Sequence, residues 1–491
     1  MTRATAVLLA AAVAQAQPRP TDVRQLFLDE RSITSKEGVS LKLHSPIPRE
    51  IVLTADKPWE GQTLAYVTVL KDGDRYRMYY RASGPPIGSP PKAARGDKAQ
   101  MDWSYTALAE SRDGLHWTKP ELGVVQFRGS AKNNLVWPAK GEDSTDLIPF
   151  LDTRPGVPAD QRYKTLANPN NYELLALASP DGIHWARMQA NPVISYVAGD
   201  PLMDPQNLAF WDERQQLYVA YLRGWYNTRI RSVRRATSKD FLHWTQPEFV
   251  GFGGSDIEHL YINNTFAYDR APGTYLMFAK RFVPWRKWDL AWPYPGLSEI
   301  ALLSSRDGIH FDRTFMEPFV SPGLDPKNWH ERALMMARGV LHTSPVEMSL
   351  YLLEHYRTDA VHIRRMSLRP DGFISVNAPY KGGEFATLPF VWKGRALALN
   401  HATSVIGSIR VEIQDAAGRP IPGYRLEECD EIYGDEVSRA VTWRRGHNEI
   451  MTADRKESLY PASEIGFALR GQLVRLRFVM KAADLYSFHI N

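Results

Sequence analysis

The sequence predicts an all-β protein, a five-bladed β-propeller followed by a C-terminal β-sandwich. Three observations predict it: a hairpin phrase recurring at a steady interval, alternating strands around each copy, and a change of rhythm after about Tyr380. The phrase reads Ser111-Arg-Asp-Gly-Leu-His-Trp117, Ser179-Pro-Asp-Gly-Ile-His-Trp185, Ser238-Lys-Asp-Phe-Leu-His-Trp244 and Ser305-Arg-Asp-Gly-Ile-His-Phe311, with a degenerate fifth copy, Ser367-Leu-Arg-Pro-Asp-Gly-Phe373. The starts lie 68, 59, 67 and 62 residues apart. A fixed period of this kind marks a repeated supersecondary unit.

Each phrase lies between two strands, as after Tyr105-Thr-Ala-Leu-Ala-Glu-Ser111. Asp-Gly then falls where a tight hairpin needs a positive φ, and the terminal Trp or Phe packs between neighbouring sheets. The Asp and His of the phrase are assigned to the turn, because turn residues recur once per unit whereas a catalytic group is needed once. Further strands are visible in the first unit as Thr63-Leu-Ala-Tyr-Val-Thr-Val-Leu70 and Tyr76-Arg-Met-Tyr-Tyr-Arg81, joined by the turn Lys71-Asp-Gly-Asp74. The third unit repeats the plan with Gln206-Asn-Leu-Ala-Phe-Trp211 and Leu217-Tyr-Val-Ala-Tyr-Leu222. Short strands repeated radially in this way make propeller blades.

After the junction Lys381-Gly-Gly-Glu384 come Ser408-Ile-Arg-Val-Glu-Ile413 and Leu473-Val-Arg-Leu-Arg-Phe-Val479, alternating strands separated by turn clusters. They read as a β-sandwich, either bracing the propeller or binding sugar. The expected division is a signal peptide over 1–16, the propeller over 20–380 and the sandwich over 381–491.

The signal peptide rests on Met-Thr-Arg, the apolar run Ala4 to Val13 and Ala14-Gln15-Ala16, with cleavage expected after Ala16. That run is too short to span a bilayer, and the expected location is secreted or periplasmic. The one cysteine, Cys429, leaves no intramolecular disulfide, so burial must hold the fold, and 491 residues at 44% hydrophobic content can supply the core. A net charge of +5 is small for this length and interspersed; the one dense basic run, Arg229 to Arg235, alternates partly like a strand. Nucleic acid is not an expected partner. No glycine-rich phosphate loop follows a strand, which leaves nucleotide chemistry without support.

Four phrases carry a resemblance: Gln25-Leu-Phe-Leu-Asp-Glu30, Asp204-Pro-Gln-Asn-Leu-Ala-Phe-Trp-Asp212, Glu258-His-Leu-Tyr-Ile-Asn-Asn264 and Val474-Arg-Leu-Arg-Phe-Val-Met-Lys-Ala-Ala-Asp-Leu-Tyr-Ser487. Through them nearly the whole mature chain resembles secreted bacterial five-bladed propeller proteins similar to the N-terminal domain of glycoside hydrolase family 32. The resemblance implies glycosidase chemistry by three acids on the inner strands of different blades. The Trp-Met-Asn-Asp-Pro, Arg-Asp-Pro and Glu-Cys phrases of the fructan- and arabinan-cleaving enzymes are absent in their usual places.

A propeller gathers the first strand of each blade around its axis, so the candidates come from those strand starts. They are Trp59 and Glu60, Asp143 and Asp146, Asp204, Gln206 and Asn207, Asp256, Glu258, His259 and Tyr261, and Glu331 and Arg332. Glycoside hydrolysis needs one protonated and one ionised carboxyl. Glu258 is the expected general acid, through crowding by Asp256 and other acids; Asp204 is the expected base or nucleophile, and Asp146 the stabilising acid. Asp204 and Asp146 can equally cap turns. His259 can move a proton, bond a sugar hydroxyl or hold a metal. Arg81, Arg281 and Arg332 read either as clamps for a carboxylate or sulfate on an acidic sugar or as ion-pair partners. No cofactor is required, although the reading allows a structural cation at the axis. The expected function is an extracytoplasmic glycoside hydrolase acting on a poly- or oligosaccharide. A non-catalytic carbohydrate-binding propeller and a protein-binding scaffold are the competing readings.

Overall fold

A computed structural model describes residues 24–83, 104–137, 146–169, 172–195, 206–444 and 469–490, and the backbone of 19–21. The expected signal peptide lies outside them. The described chain divides into two compact units, Leu43–Ile374 and a second that joins the segment up to Lys42 to Ser375 onward.

The larger unit contains five sheets of four or five strands. Blade 1 runs Ala65–Asp72, Arg75–Ser83, Ser104–Ser111 and Leu135–Trp137 from inside to outside. Blade 2 is built on Phe150–Leu151, Tyr163–Ala167 and Glu173–Ser179. Leu208–Asp212, Leu217–Tyr226, Ile230–Ser238 and Glu248–Phe249 make blade 3. In blade 4 the order is His259–Leu260 and Thr265–Ala267, Tyr275–Val283, Leu297–Ser305 and Phe311–Asp312. Blade 5 takes Met335–Met336 and Leu341–Ser344, Glu347–Glu354 and His362–Leu368, and its outer strand is Ile47–Thr54 from the other end of the chain. The inner strands neighbour one another in turn, and the first meets the last, which closes the ring.

The second strand of each blade is buried on both faces between its neighbours, which explains its apolar runs. Tyr79, Tyr80, Tyr218, Tyr221 and Tyr351 are all fully buried there, each contributing on the order of 2 kcal/mol by burial. Three of these rings also staple blades together. Tyr351 Oη of blade 5 donates to the Gly114 carbonyl of blade 1 at 2.6 Å, Tyr79 of blade 1 to Gly182 of blade 2 at 3.1 Å, and Tyr221 of blade 3 to Gly308 of blade 4 at 2.7 Å.

Those glycines belong to the recurring phrase, which is a turn device as expected. Ser111 Oγ accepts from the Asp113 and Gly114 N–H groups, Asp113 Oδ1 accepts from Leu115 and His116, and Trp117 Nε1 donates to Gly114 O. Gly114, Gly182 and Gly308 have φ of 75°, 74° and 74°. In blade 3 Phe241 occupies that position at φ 72°, its ring fully buried against Phe150 and Tyr218. A Cβ on Gly182 would collide with Tyr79 Oη. Gly182→Ala is therefore expected to lower stability by about 2 to 3 kcal/mol, strain and the broken staple together. A denaturant midpoint unchanged from the parent would show that the staple contributes nothing.

Arg338 of blade 5 lies on the propeller axis. Its guanidinium donates to the carbonyls of Thr265, Pro149 and Ala209, in blades 4, 2 and 3, at 3.5, 3.3 and 3.4 Å, and burial pushes its pKa down to about 10.

The second unit is a ten-stranded, hydrogen-bonded β structure on two long strands, Leu397–Asp415 and Leu473–Ile490, which pair along their length. Its boundary differs from the expected 20–380 and 381–491 because residues before Lys42 pair with the C-terminal strands: Gln25 opposes Phe488, and Glu37 opposes Glu384. Phe27, fully buried against Phe385 and Phe488, anchors that segment. Cys429 is buried here as well, its thiol pushed up to about 11 by burial.

Candidate functional site

Strand register decides which residues can meet. In each blade the end of the second strand lies beside the start of the inner strand, as where Arg81 opposes Ala65 and Phe282 opposes His259. The start of the second strand lies beside the end of the third, as where Tyr76 opposes Ser111. The hairpin phrases and the inner-strand starts are thus at opposite ends of the blades, which keeps the repeated Asp and His away from the funnel mouth.

Around the inner-strand starts, contacts gather residues from all five blades. Arg81 of blade 1 forms a bidentate pair with Asp146 of blade 2, both bonds 2.9 Å, and lies 4.5 Å from the Tyr66 ring centre. Ser104 also donates to Asp146 at 3.2 Å. In blade 3 the Asn207 side chain accepts from the Arg223 N–H at 2.9 Å, and the Arg223 guanidinium donates to the Tyr261 carbonyl. Gln206, 2% exposed beside it, has neither side-chain polar atom hydrogen-bonded. Around the Tyr261 ring of blade 4 stand Arg223 and Arg231 at 4.7 Å, Arg332 at 5.0 Å and Lys280 at 5.5 Å. Blade 5 supplies Glu331, 1% exposed, which pairs with Arg357 at 2.8 Å and Arg332 at 3.3 Å. The Tyr356 ring centre lies 5.3 Å from the Arg357 guanidinium and 5.8 Å from the Lys280 amine.

Electrostatics follow from this crowding. Burial, reinforced by Arg332 and Arg357, holds the Lys280 amine well below the ordinary lysine range, even though Glu331 pulls the other way. His259 is likewise lowered by burial, then by Arg231 and Arg223; its Nδ1 accepts from the Arg231 N–H at 3.4 Å. Arg332 has a left-handed backbone, φ 57°, and its buried Nε lacks a hydrogen-bond partner.

Four sequence candidates fall outside this group. Glu258 directly precedes the His259–Leu260 strand, and Lys280 and Arg281 are adjacent on the strand paired with it, so each pair divides between opposite faces. His259 and Lys280 face Tyr261 and Arg332, whereas Glu258 and Arg281 face each other. Glu258 accepts from Arg313 at 2.6 Å and Arg281 at 3.4 Å, and Arg281 also donates to Glu299 and to the Met316 carbonyl. The acid crowding expected around Glu258 is replaced by two guanidiniums, and Arg281 is an ion-pair partner. Glu60 is a satisfied structural carboxylate: it accepts from the Asp56 and Lys57 N–H groups, from Tyr80 Oη at 2.5 Å and from Lys119 Nζ at 2.6 Å. Trp59 donates to Asn134 and packs edge-on against Phe127. Asp204 and Asp143 lie outside the described residues.

Sequence reasoning missed Tyr66, Arg223, Arg231, Lys280, Tyr356 and Arg357. A second repeat would have found several of them: Tyr-Tyr-Arg81, Tyr-Leu-Arg223, Ala-Lys-Arg281 and His-Tyr-Arg357 each lie within three residues of the end of a unit's second strand.

No protein-family model and no curated protein matches the sequence. Solved structures do. A Bacillus subtilis glycoside hydrolase family 43 arabinoxylan arabinofuranohydrolase is 12% identical at a TM-score of 0.43, over 89% of this chain and 96% of its own. A Listeria innocua β-1,2-mannobiose phosphorylase is 12% identical at 0.45, over 67% and 97%. An N-acetylgalactosamine deacetylase from F. plautii is 12% identical at 0.43, over 69% and 97%. Among the described residues no helix is long and apolar enough to cross a membrane, and no cluster of three His, Cys, Asp or Glu suits a metal ion.

Proposed function

We propose that this chain is an extracytoplasmic glycoside hydrolase that cleaves a poly- or oligosaccharide where the inner strands of its propeller start. The observation that carries the reading is the pairing of two buried carboxylates, Asp146 and Glu331, with arginines that lie over tyrosine rings, Arg81 over Tyr66 and Arg357 over Tyr356. Aromatic faces suit the apolar faces of sugar rings, and guanidiniums fix carboxylates in place. Hydrolysis asks one carboxyl to protonate the leaving oxygen and another to attack the anomeric carbon or direct water. Asp146 and Glu331 are the proposed pair, and Asp204, outside the described residues, keeps its sequence-based role as base or nucleophile. Such a reaction uses water as its only co-reactant and requires no cofactor. The leader-like first residues support delivery outside the cytoplasm.

The test is a hydrolysis screen of the mature chain, from Gln17 onward, against plant and algal polysaccharides and aryl furanosides and pyranosides. Release of reducing sugar is the expected result. Binding without release would favour a carbohydrate-binding propeller, and neither would sink the reading.

A further inference from the structure

The loop 284–296 of blade 4 joins the end of the second strand to the start of the third, on the side where the inner strands begin. It leaves large apolar side chains in water: Trp285 is 76% exposed, Trp288 52% and Leu290 83%. A cluster of this kind marks a surface that is covered in use. The loop is nevertheless firmly built. Trp292, buried, stacks on His330 with 4.3 Å between ring centres, and His330 Nε2 lies 3.3 Å from Asp289. Asp289 Oδ1 accepts from the Ala291 N–H at 2.9 Å, and the Gly296 N–H donates to the Arg286 carbonyl at 2.7 Å. Gly296 has φ 119°, and a Cβ there would meet the Phe282 ring at 2.6 Å, so glycine alone fits this closure.

That frame is tied to the candidate site. The Arg332 N–H donates to the Gly296 carbonyl at 2.9 Å, and Glu331 directly follows His330. Trp329, just before His330, brings its ring to 6.3 Å from that of Trp288 at a tilt of 32°, and its Nε1 donates to the Gly323 carbonyl at 2.9 Å. Trp329 is two residues, at most about 7 Å of backbone, from Glu331.

We infer that Trp288 and Trp329 form a stacking subsite for a saccharide chain, one sugar of which lies on these rings while another is at Glu331. The inference rests on the saccharide reading above and adds where the chain is held. Indole faces suit the apolar faces of sugar rings, and the surface runs on to the proposed carboxylate through Trp329 and His330. Its size argues against a second protein. Trp285, Trp288, Leu290 and the half-buried Trp329 expose on the order of 500 Å², below the ~800 Å² that each partner of a stable protein complex buries.

Affinity electrophoresis tests the subsite, in gels cast with arabinan, xylan, galactan or laminarin. The parent is expected to be retarded in at least one gel, and Trp288→Ala and Trp329→Ala to bind that polysaccharide about 10-fold more weakly. Each variant is checked for an unchanged circular dichroism spectrum and thermal midpoint, and the second guards against the first failing to fold. Full retardation of the folded variants would overturn the inference and leave the saccharide reading standing, as would a parent that passes every gel freely yet releases sugar in the hydrolysis screen. A parent that neither binds nor releases would overturn both. Sedimentation at rising concentration covers the other occupant: self-association that Trp288→Ala abolishes, with retardation unaltered, would overturn the subsite and reassign the rings to a contact between copies.

Discussion

Asp146→Asn and Glu331→Gln are each expected to lower turnover about 1,000-fold while binding of the cleaved saccharide persists. Each exchange keeps the shape of the side chain and removes the charge that Arg81, or Arg357 and Arg332, now holds. The loss should therefore appear in kcat more than in KM. Glu258→Gln provides the contrast. Its partners, Arg281 and Arg313, face away from Tyr261, so turnover is expected to stay within about an order of magnitude of the parent. Steady-state kinetics on the substrate found by the screen decides the matter. A full loss with Glu258→Gln, and none with the other two, would move the chemistry to the opposite face of the blade 4 strand.

Lys164→Met is expected to destabilise the propeller by about 3 to 5 kcal/mol, the usual result of removing one half of a buried ion pair. Lys164 and Asp152, 1% and 0% exposed at their side chains, pair inside blade 2, and Tyr218 of blade 3 donates to Asp152 at 2.6 Å. Burial lowers the Lys164 pKa despite Asp152 holding its proton. Removing the lysine leaves a buried carboxylate without its ion-pair partner between two blades. The double exchange Lys164→Met with Asp152→Asn should recover most of the loss, because asparagine retains an oxygen for the Arg154 N–H, now 3.0 Å from Asp152 Oδ1. Denaturant unfolding of the two variants measures the coupling. Equal stability of the single and double variants would show that charge is not what the lysine supplies.

The propeller was legible because its signals are local: each phrase closes a turn with its own Ser, Asp and Gly, and each strand follows alternation within a few residues. Residues 25–37 were misassigned to the propeller because their partners, Phe488 and Glu384 among them, lie hundreds of positions away. Within the candidate site, Asp146, His259, Tyr261, Glu331 and Arg332 were reachable from inner-strand starts alone. Glu258 was reachable too, yet side-chain alternation turns it to the face opposite His259, a distinction that only the placement of Lys280 and Arg281 makes visible. Glu60 and Trp59 resemble site residues by type, but their hydrogen bonds are all met locally.

The outer strand of blade 5 has a bearing on how the chain acquires its structure. Ile47–Thr54 emerges early from the ribosome, yet its partner, His362–Leu368, is synthesised more than three hundred residues later, with Arg365 reaching Glu50 and Arg49 reaching Ser367. Until then both strand edges stay open, one on the N-terminal segment and one on the nascent fifth blade. Pairings at such sequence separation slow folding, and open edges invite pairing between chains. Ring closure should therefore be the late, concentration-sensitive step of folding, and production is expected to depend on temperature and expression rate more than the final stability would suggest.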